Sequence, residues 1–142
     1  MNKTIDQFLN VQTCASLCCI DEHGGPYCFS CFFAFNSGDK LLYFKSSPES
    51  RHALLIAKNH AIAGTVLPDK LNKLVIKGIQ FKGNVLDADQ PLTKEAHLFY
   101  YKKFPMALAM TGKLYTIEIT SIKMTDSSRM FGEKLSWEKS FH

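Results

Sequence analysis

The chain has 142 residues, of which 46 % are hydrophobic and 21 % charged, so it is long and apolar enough to form one folded domain over residues 1–142. Its net charge of +4 comes from 17 Lys and Arg interspersed with 13 Asp and Glu, without the basic run of a nucleic-acid-binding tail. No stretch approaches the roughly 20 apolar residues of a membrane span, and the N-terminus lacks a signal peptide's apolar segment. We therefore expect a cytoplasmic protein with neither a nucleic-acid nor a membrane partner.

Hydrophobic periodicity and turn residues predict six strands and three helices. In chain order these are a helix over 4–11 capped by Thr4, strands over 13–20, 27–35 and 40–46, a helix opened by Ser47 and ending near Asn59, strands over 61–67 and 73–87, a helix over 91–103 and a strand over 113–124. Polar turns join the first three strands, which indicates an antiparallel meander. Strand 27–35 is apolar on both faces and needs cover on both. The pattern predicts a mostly β fold, a small antiparallel barrel with peripheral helices.

Five cysteines lie within the first two strands: Cys14, Cys18, Cys19, Cys28 and Cys31. Their odd number and the missing signal peptide argue against a disulfide framework. Cys28 and Cys31 have the spacing of a metal or redox motif, but residues three apart on a strand point to opposite faces. We therefore predict no metal site and expect buried, reduced cysteines that pack as small hydrophobic residues.

The segment 43–52 joins the third strand to the second helix and concentrates polar groups there. Ser47 is predicted to cap the helix with Pro48 at its first position. The hydroxyl of Ser50, the guanidinium of Arg51 and the ring of His52 then converge with the free N–H groups of the helix start. The segment is compatible with a phosphate site, but taken alone it favours an ordinary capped helix whose arginine faces solvent.

Strand 73–87 separates an apolar face from a polar one. Val75, Ile79, Phe81 and Val85 share the first face, whereas Gly78, Gln80 and Lys82 share the second. A polar face with glycine could lie against a planar heteroaromatic ring, or the segment could be a bent barrel strand with a solvated face.

These motifs together resemble the pyridoxamine 5′-phosphate oxidase-like FMN-binding split barrels over roughly residues 5–137. The resemblance rests on the meander that leads into Ser50-Arg51-His52, on Gly78-Ile79-Gln80-Phe81-Lys82-Gly83, and on the tail pattern Phe131-Gly132-x-Lys134-x-x-Trp137. It is closest to a small bacterial branch of that family. The fold it implies is a six-stranded antiparallel split β-barrel with peripheral helices.

The resemblance also implies a cofactor, its contacts and a partner. It places the FMN phosphate on Ser50, Arg51 and His52, with the helix-capping Ser47 beside them. It assigns Lys45 and Ser46 to the phosphate and ribityl chain, and the flavin ring to Ser30, Cys31, Phe32, Phe33, Gln80 and Lys82. Trp137 either caps the flavin or buries the C-terminus. Members of the family are homodimers with FMN in the cleft between subunits.

Two departures from the family pattern narrow the predicted function. His52 stands where the family has Lys, so one positive charge near the phosphate depends on pH. The tail 137–142 lacks the Arg-x-His motif of the true oxidases, which argues against pyridoxamine phosphate oxidation itself. The leading hypothesis is an FMN-dependent oxidoreductase of unknown substrate and electron donor, without an assigned catalytic side chain. The alternatives are a flavin- or haem-binding carrier or sensor without turnover, and a dimeric structural domain that has lost its cofactor site.

Overall fold

The computed structural model describes residues 1–128 and 134–140. Its elements are α1 (Lys3–Val11), β1 (Cys14–Ile20), β2 (Pro26–Asn36), β3 (Leu41–Ser46), α2 (Arg51–Lys58), β4 (Ala61–Val66), β5 (Lys77–Val85), α3 (Ala96–Lys103), β6 (Lys113–Asp126) and β7 (Lys134–Glu138). Two short 3-10 helices, Pro91–Thr93 and Pro105–Ala109, flank α3. The order of the predicted elements is confirmed.

Six strands close into an antiparallel barrel. The order around the barrel is β3-β2-β1-β4-β5-β6, and β3 pairs with β6 to complete the ring. That closing ladder runs from Leu41↔Glu118 to Ser46↔Lys113. Strand β7 pairs with residues 121–125 of β6, beyond the part of β6 that pairs with β3. The predicted mostly β fold, a small antiparallel barrel, is therefore confirmed.

Strand β2 is covered on both faces in its second half, as its composition predicts. Phe33 and Phe35 point into the barrel, where α1 contributes Ile5 and Phe8 to the same core. Ala34, on the opposite face, lies in a second cluster with side chains of β3, α3 and the 3-10 helix. Helix α3 thus packs on the outside of β2 and β3. The barrel surface beside α3 forms one wall of a groove.

Two predicted helix starts are wrong because local hydrogen bonds begin the helices elsewhere. Helix α1 is capped by the Asn2 side chain, which accepts the Thr4 N–H at 2.7 Å, so Thr4 is not the cap. Ser50, not Ser47, caps α2 and accepts the Ala53 N–H, whereas the Ser47 hydroxyl accepts the Glu49 N–H within a turn. Pro48 accordingly precedes the helix instead of starting it.

The other differences follow from turns within predicted elements. Asn72 organises a turn by accepting the Leu74 N–H, so strand β5 begins at Lys77 and excludes Val75. The predicted helix over 91–103 is split into a 3-10 turn and α3, which leaves Leu92 exposed. The tail carries a strand, β7, that the sequence pattern did not predict.

Gly83 provides a test of the barrel's register. It lies where the β5–β6 register shifts, and a Cβ there would collide with the Glu118 carbonyl oxygen and lie 2.9 Å from Ile117 Cγ2. Because backbone occupies that space, Gly83→Ala should lower the free energy of unfolding by about 1–3 kcal/mol in urea denaturation.

The matched control is Gly38→Ala, where the nearest atom, Asn36 Oδ1, lies 3.4 Å from the position that a Cβ would take. This change should alter the free energy of unfolding by less than about 1 kcal/mol. Equal effects of the two substitutions would contradict the described packing at Gly83.

Candidate functional site

A groove of about 730 Å³ lies between the middle of β2, the end of β3, the start of α2, and the end of α3 with the chain that leaves it. It is lined by Cys14, Ser30, Cys31, Phe32, Lys45, Ser46, His52, Tyr100, Lys103, Phe104, Pro105, Met106, Ala107, Met110 and Thr111. The lining is mostly apolar and aromatic, with the polar groups of β3 and α2 at one end. This volume is typical of a small-molecule or cofactor site.

The polar end of the groove is built by the β3–α2 connection. Ser46 Oγ lies 2.5 Å from His52 Nε2 and 3.4 Å from Ser50 Oγ. Ser50 Oγ donates to the Ser47 carbonyl oxygen at 2.7 Å and accepts the Ala53 N–H at 3.3 Å. The structure therefore brings together the predicted residues Ser46, Ser50 and His52, with Ser47 exposed beside them.

The His52 ring is held in place by stacking and is largely neutral. Its ring stacks on Phe29 with centroids 3.9 Å apart and an interplanar angle of 5°. Burial lowers the pKa of His52 below its ordinary value, which favours the neutral imidazole. At neutral pH His52 therefore supplies a hydrogen-bonding ring and not a lasting positive charge.

Two lysines, Lys45 and Lys103, line the groove. Lys45 Nζ donates to the carbonyl oxygens of Ala107 (2.8 Å) and Met110 (2.6 Å), which ties the 3-10 helix to β3. Lys103 Nζ donates to the Gln12 carbonyl oxygen and lies 4.5 Å from the centroid of the Phe33 ring. Sequence reasoning missed Lys103, although its position between Tyr100 and Phe104 on one helix face was a signal.

Arg51 points away from the groove. Its Nη2 donates to both carboxylate oxygens of Glu22, at 2.6 and 2.9 Å, and its guanidinium lies 5.9 Å from the centroid of the Tyr27 ring. The side chain is about half exposed. The predicted convergence of Arg51 with Ser50 and His52 is therefore not seen in this arrangement, because the β1–β2 turn supplies a carboxylate that the local sequence could not reveal.

The predicted flavin-ring residues fall in three places. Ser30, Cys31 and Phe32 line the groove, whereas the Phe33 side chain is fully buried in the barrel core and cannot contact a ligand in the groove. Gln80 and Lys82 face outward and, together with Trp137, line a second cavity of about 670 Å³ along β1, β2, β4, β5, β6 and β7. The Trp137 side chain itself lies on the opposite face, where it packs against the barrel core. Phe131 and Gly132 of the tail pattern lie outside the described residues. In one chain, the two sets of ring residues are thus separate.

The cysteines alternate between faces as predicted, but they are mostly not buried. Cys28 is exposed on the outer face, whereas Cys31 lines the groove. Cys18 faces outward beside the fully buried Cys19. The prediction of buried cysteines is wrong for Cys14 and Cys28, which are exposed, and right for Cys19. Cys18 and Cys31 are half-buried, Cys31 against the barrel core, and all five are free thiols.

Metal clusters and membrane-spanning helices are both absent from residues 1–128 and 134–140. Within those ranges, no group of three or more His, Cys, Asp or Glu side chains could hold a metal ion. No helix in the same ranges is long and apolar enough to cross a membrane.

Comparison with solved structures identifies the fold. The structure superposes on a haem-binding protein of Mycobacterium smegmatis (TM-score 0.76, 9 % identity, 97 % of this chain and 59 % of that one). It also superposes on a FAD-binding protein of Mesorhizobium loti (TM-score 0.66, 15 % identity, 86 % and 92 %) and on a putative 5-nitroimidazole antibiotic resistance protein of Bacteroides thetaiotaomicron (TM-score 0.66, 17 % identity, 86 % and 81 %). The chain therefore has the split β-barrel fold of these proteins.

Sequence comparison gives the family. The chain is 32 % identical over 113 residues to a UPF0306 protein of Photorhabdus laumondii, covering 80 % of this chain and 79 % of the relative. It is 30 % identical over 135 residues to a UPF0306 protein of Yersinia pseudotuberculosis, covering 95 % and 91 %. No family model matches the chain. The chain belongs to the UPF0306 family.

The environment of Lys103 generates a test. Burial lowers the pKa of Lys103 to about 8, and the carboxylate of Asp69 partly opposes that shift. A lower pKa leaves the amine neutral at lower pH, so competitive acylation at Lys103 should have its midpoint near pH 8, against roughly 10.4 for an ordinary lysine. Mass spectrometry of the labelled protein would measure this profile.

Asp69→Asn is the matched variant, because it removes the opposing charge and keeps the side-chain oxygen that accepts the Thr13 N–H. The midpoint at Lys103 should then move to lower pH. A midpoint near that of an exposed lysine in the parent protein would contradict the described burial.

Proposed function

We propose that the chain is an FMN-binding oxidoreductase of the pyridoxamine 5′-phosphate oxidase-like type, with substrate and electron donor unidentified. The observation that carries the proposal is the groove, in which the hydroxyls at the β3–α2 connection adjoin a long apolar and aromatic lining. A phosphorylated ring compound has this division into an anionic end and a flat apolar end. We place the activity in the cytoplasm.

The donors at the polar end fit a phosphate. The N–H groups of Arg51 and His52 precede the first hydrogen bonds within α2, and such N–H groups at a helix start bind anions. The hydroxyls of Ser46, Ser47 and Ser50 lie at the same end. Arg51 would have to exchange Glu22 for the phosphate, and its planar guanidinium suits either partner.

The remaining length of the groove fits a flavin ring. Phe32, Tyr100, Phe104, Met106 and Met110 supply apolar and aromatic surface. When bound, FMN would supply the hydride or electron transfer, while the chain binds and orients it and excludes water. Lys103 would place an amine beside the ring, where it could hold a proton or an anionic group.

The separation of Gln80, Lys82 and Trp137 from the groove supports a homodimer. In one chain these residues line a different cavity from Ser30, Phe32 and Ser46. If FMN binds in the cleft between two subunits, the groove of one subunit meets an outer face of the other. We therefore propose the homodimer as the FMN-binding form.

Haem binding without turnover is the second candidate. It is favoured by Met106 and Met110 in the groove, since methionine can ligate haem iron, and by the fold shared with a haem-binding protein. His52 is a poor ligand in this arrangement, because Nε2 is bonded to Ser46 and the ring is stacked on Phe29. The flavin proposal therefore has the stronger support.

Replacing Arg51 tests the phosphate assignment. Arg51→Ala should weaken FMN binding by about 10- to 100-fold, because a charge-assisted hydrogen bond contributes about 1.5–3 kcal/mol. Quenching of FMN fluorescence on titration with protein would measure the dissociation constant. The matched control is Lys58→Ala in the last turn of the same helix, which removes an equal charge and should leave affinity within about twofold.

The binding experiment also separates the candidate functions. A purified protein that takes up neither FMN nor haem would overturn both cofactor proposals and leave a structural domain. Uptake of FMN followed by reduction with NADH or NADPH, and reoxidation by an added acceptor, would support the oxidoreductase. An Arg51→Ala variant that binds FMN as tightly as the parent would remove Arg51 from the phosphate site.

A further inference from the structure

Two backbone hydrogen bonds fix the phase of the β1–β2 ladder. Asp21 N–H donates to the Gly25 carbonyl oxygen at 2.8 Å at one end, and Phe33 N–H donates to the Thr13 carbonyl oxygen at 3.0 Å at the other. In an antiparallel ladder, residue pairs that exchange backbone hydrogen bonds alternate with pairs that do not. Ile20↔Pro26 and Cys14↔Phe32 lie next to the two bonds above, so they are pairs that do not exchange hydrogen bonds. The register has no shift between these two ends, so every second pair counted from Ile20↔Pro26 is also a non-hydrogen-bonded pair.

Cys18↔Cys28 is therefore a non-hydrogen-bonded pair. In such pairs the Cα atoms lie about 4.5 Å apart and the side chains approach closely, which falls within the Cα separation of about 4.4–6.8 Å that a disulfide requires. Both side chains project into the outer-face cavity. Burial, and then the interaction with the Cys28 side chain, raises the pKa of Cys18, as expected for neighbouring thiols.

The other three cysteines are not placed in such a pair. Cys19 is fully buried inside the barrel, with its thiol directed at the Tyr27 carbonyl oxygen. Cys14 is opposite Phe32, and Cys31 is opposite Ala15. Cys18 and Cys28 are thus the two directly opposed thiols of this hairpin.

We propose that Cys18 and Cys28 form a site of thiol–disulfide exchange, which closes reversibly into a cross-strand disulfide with small-molecule disulfides such as glutathione disulfide. Cys28, the more exposed thiol, attacks one sulfur as a thiolate and breaks the small disulfide, releasing one thiol and leaving a mixed disulfide. Cys18 then attacks the Cys28 sulfur and releases the second thiol.

The exchange balances without a further reactant. The protein loses two electrons and two protons, and the small disulfide gains both as it becomes two thiols. The new bond joins β1 to β2 on the outer face that also carries Gln80. The inference rests on the strand pairing and the shared outer face of the two thiols, and it does not depend on the proposed cofactor.

Thiol counting on the full-length protein tests the site. After incubation with excess glutathione disulfide and removal of the reagent, the denatured protein should show three free thiols in place of five. Its intact mass should fall by about 2 Da, the two hydrogen atoms lost. Cleavage after Glu22 should yield two fragments that stay joined until a reductant is added, because that bond separates Cys18 from Cys28.

Single substitutions locate the bond. Cys18→Ser should retain a glutathione adduct on Cys28 and form no internal disulfide, whereas the control Cys31→Ser should still lose two thiols. Five free thiols with unchanged mass in the parent would overturn the inference. A stable glutathione adduct on the parent protein would also overturn it, as would an internal disulfide that persists in Cys18→Ser.

Discussion

The pairing of β3 with β6 is the constraint on which the rest of the molecule depends. It joins segments about 70 residues apart along the chain, Leu41–Ser46 and Lys113–Glu118, and converts a sheet into a ring. Closure removes two exposed sheet edges and encloses the core that α1 completes. It also fixes where the chain enters β6. Gly112, with φ of +143°, turns there against Lys45, where a Cβ would lie 3.2 Å from Lys45 Cγ.

The groove is a consequence of that closure. The residues that leave α3 must return to the start of β6, and Lys45 holds this return path by donating to the carbonyl oxygens of Ala107 and Met110. The polar end comes from β3 itself, since the strand runs directly into the turn that caps α2 at Ser50. Strand β3 thereby forms part of the groove wall and leads directly into the hydrogen-bonding end of the groove.

The charges around the groove are already engaged. Lys45 and Lys103 donate to backbone carbonyl oxygens, Arg51 is paired with Glu22, and burial favours the neutral form of His52. An anion bound here would therefore compete with existing partners instead of meeting free cations. The Arg51–Glu22 pair is exposed to solvent and contributes little to stability, so its exchange for a phosphate would cost little.

The sequence by itself determined the order of the elements along the chain, the alternation of faces along β5 and the closeness of Ser50 and His52, because periodicity and capping act over a few residues. It could not place Arg51 against Glu22, Lys103 in the groove, or Gln80 and Lys82 in a separate outer-face cavity. It also missed the opposition of Cys18 and Cys28, because a strand pattern gives the face of each residue but not its partner across the ladder. These features depend on turns, register and barrel closure, and only the tertiary structure decided them.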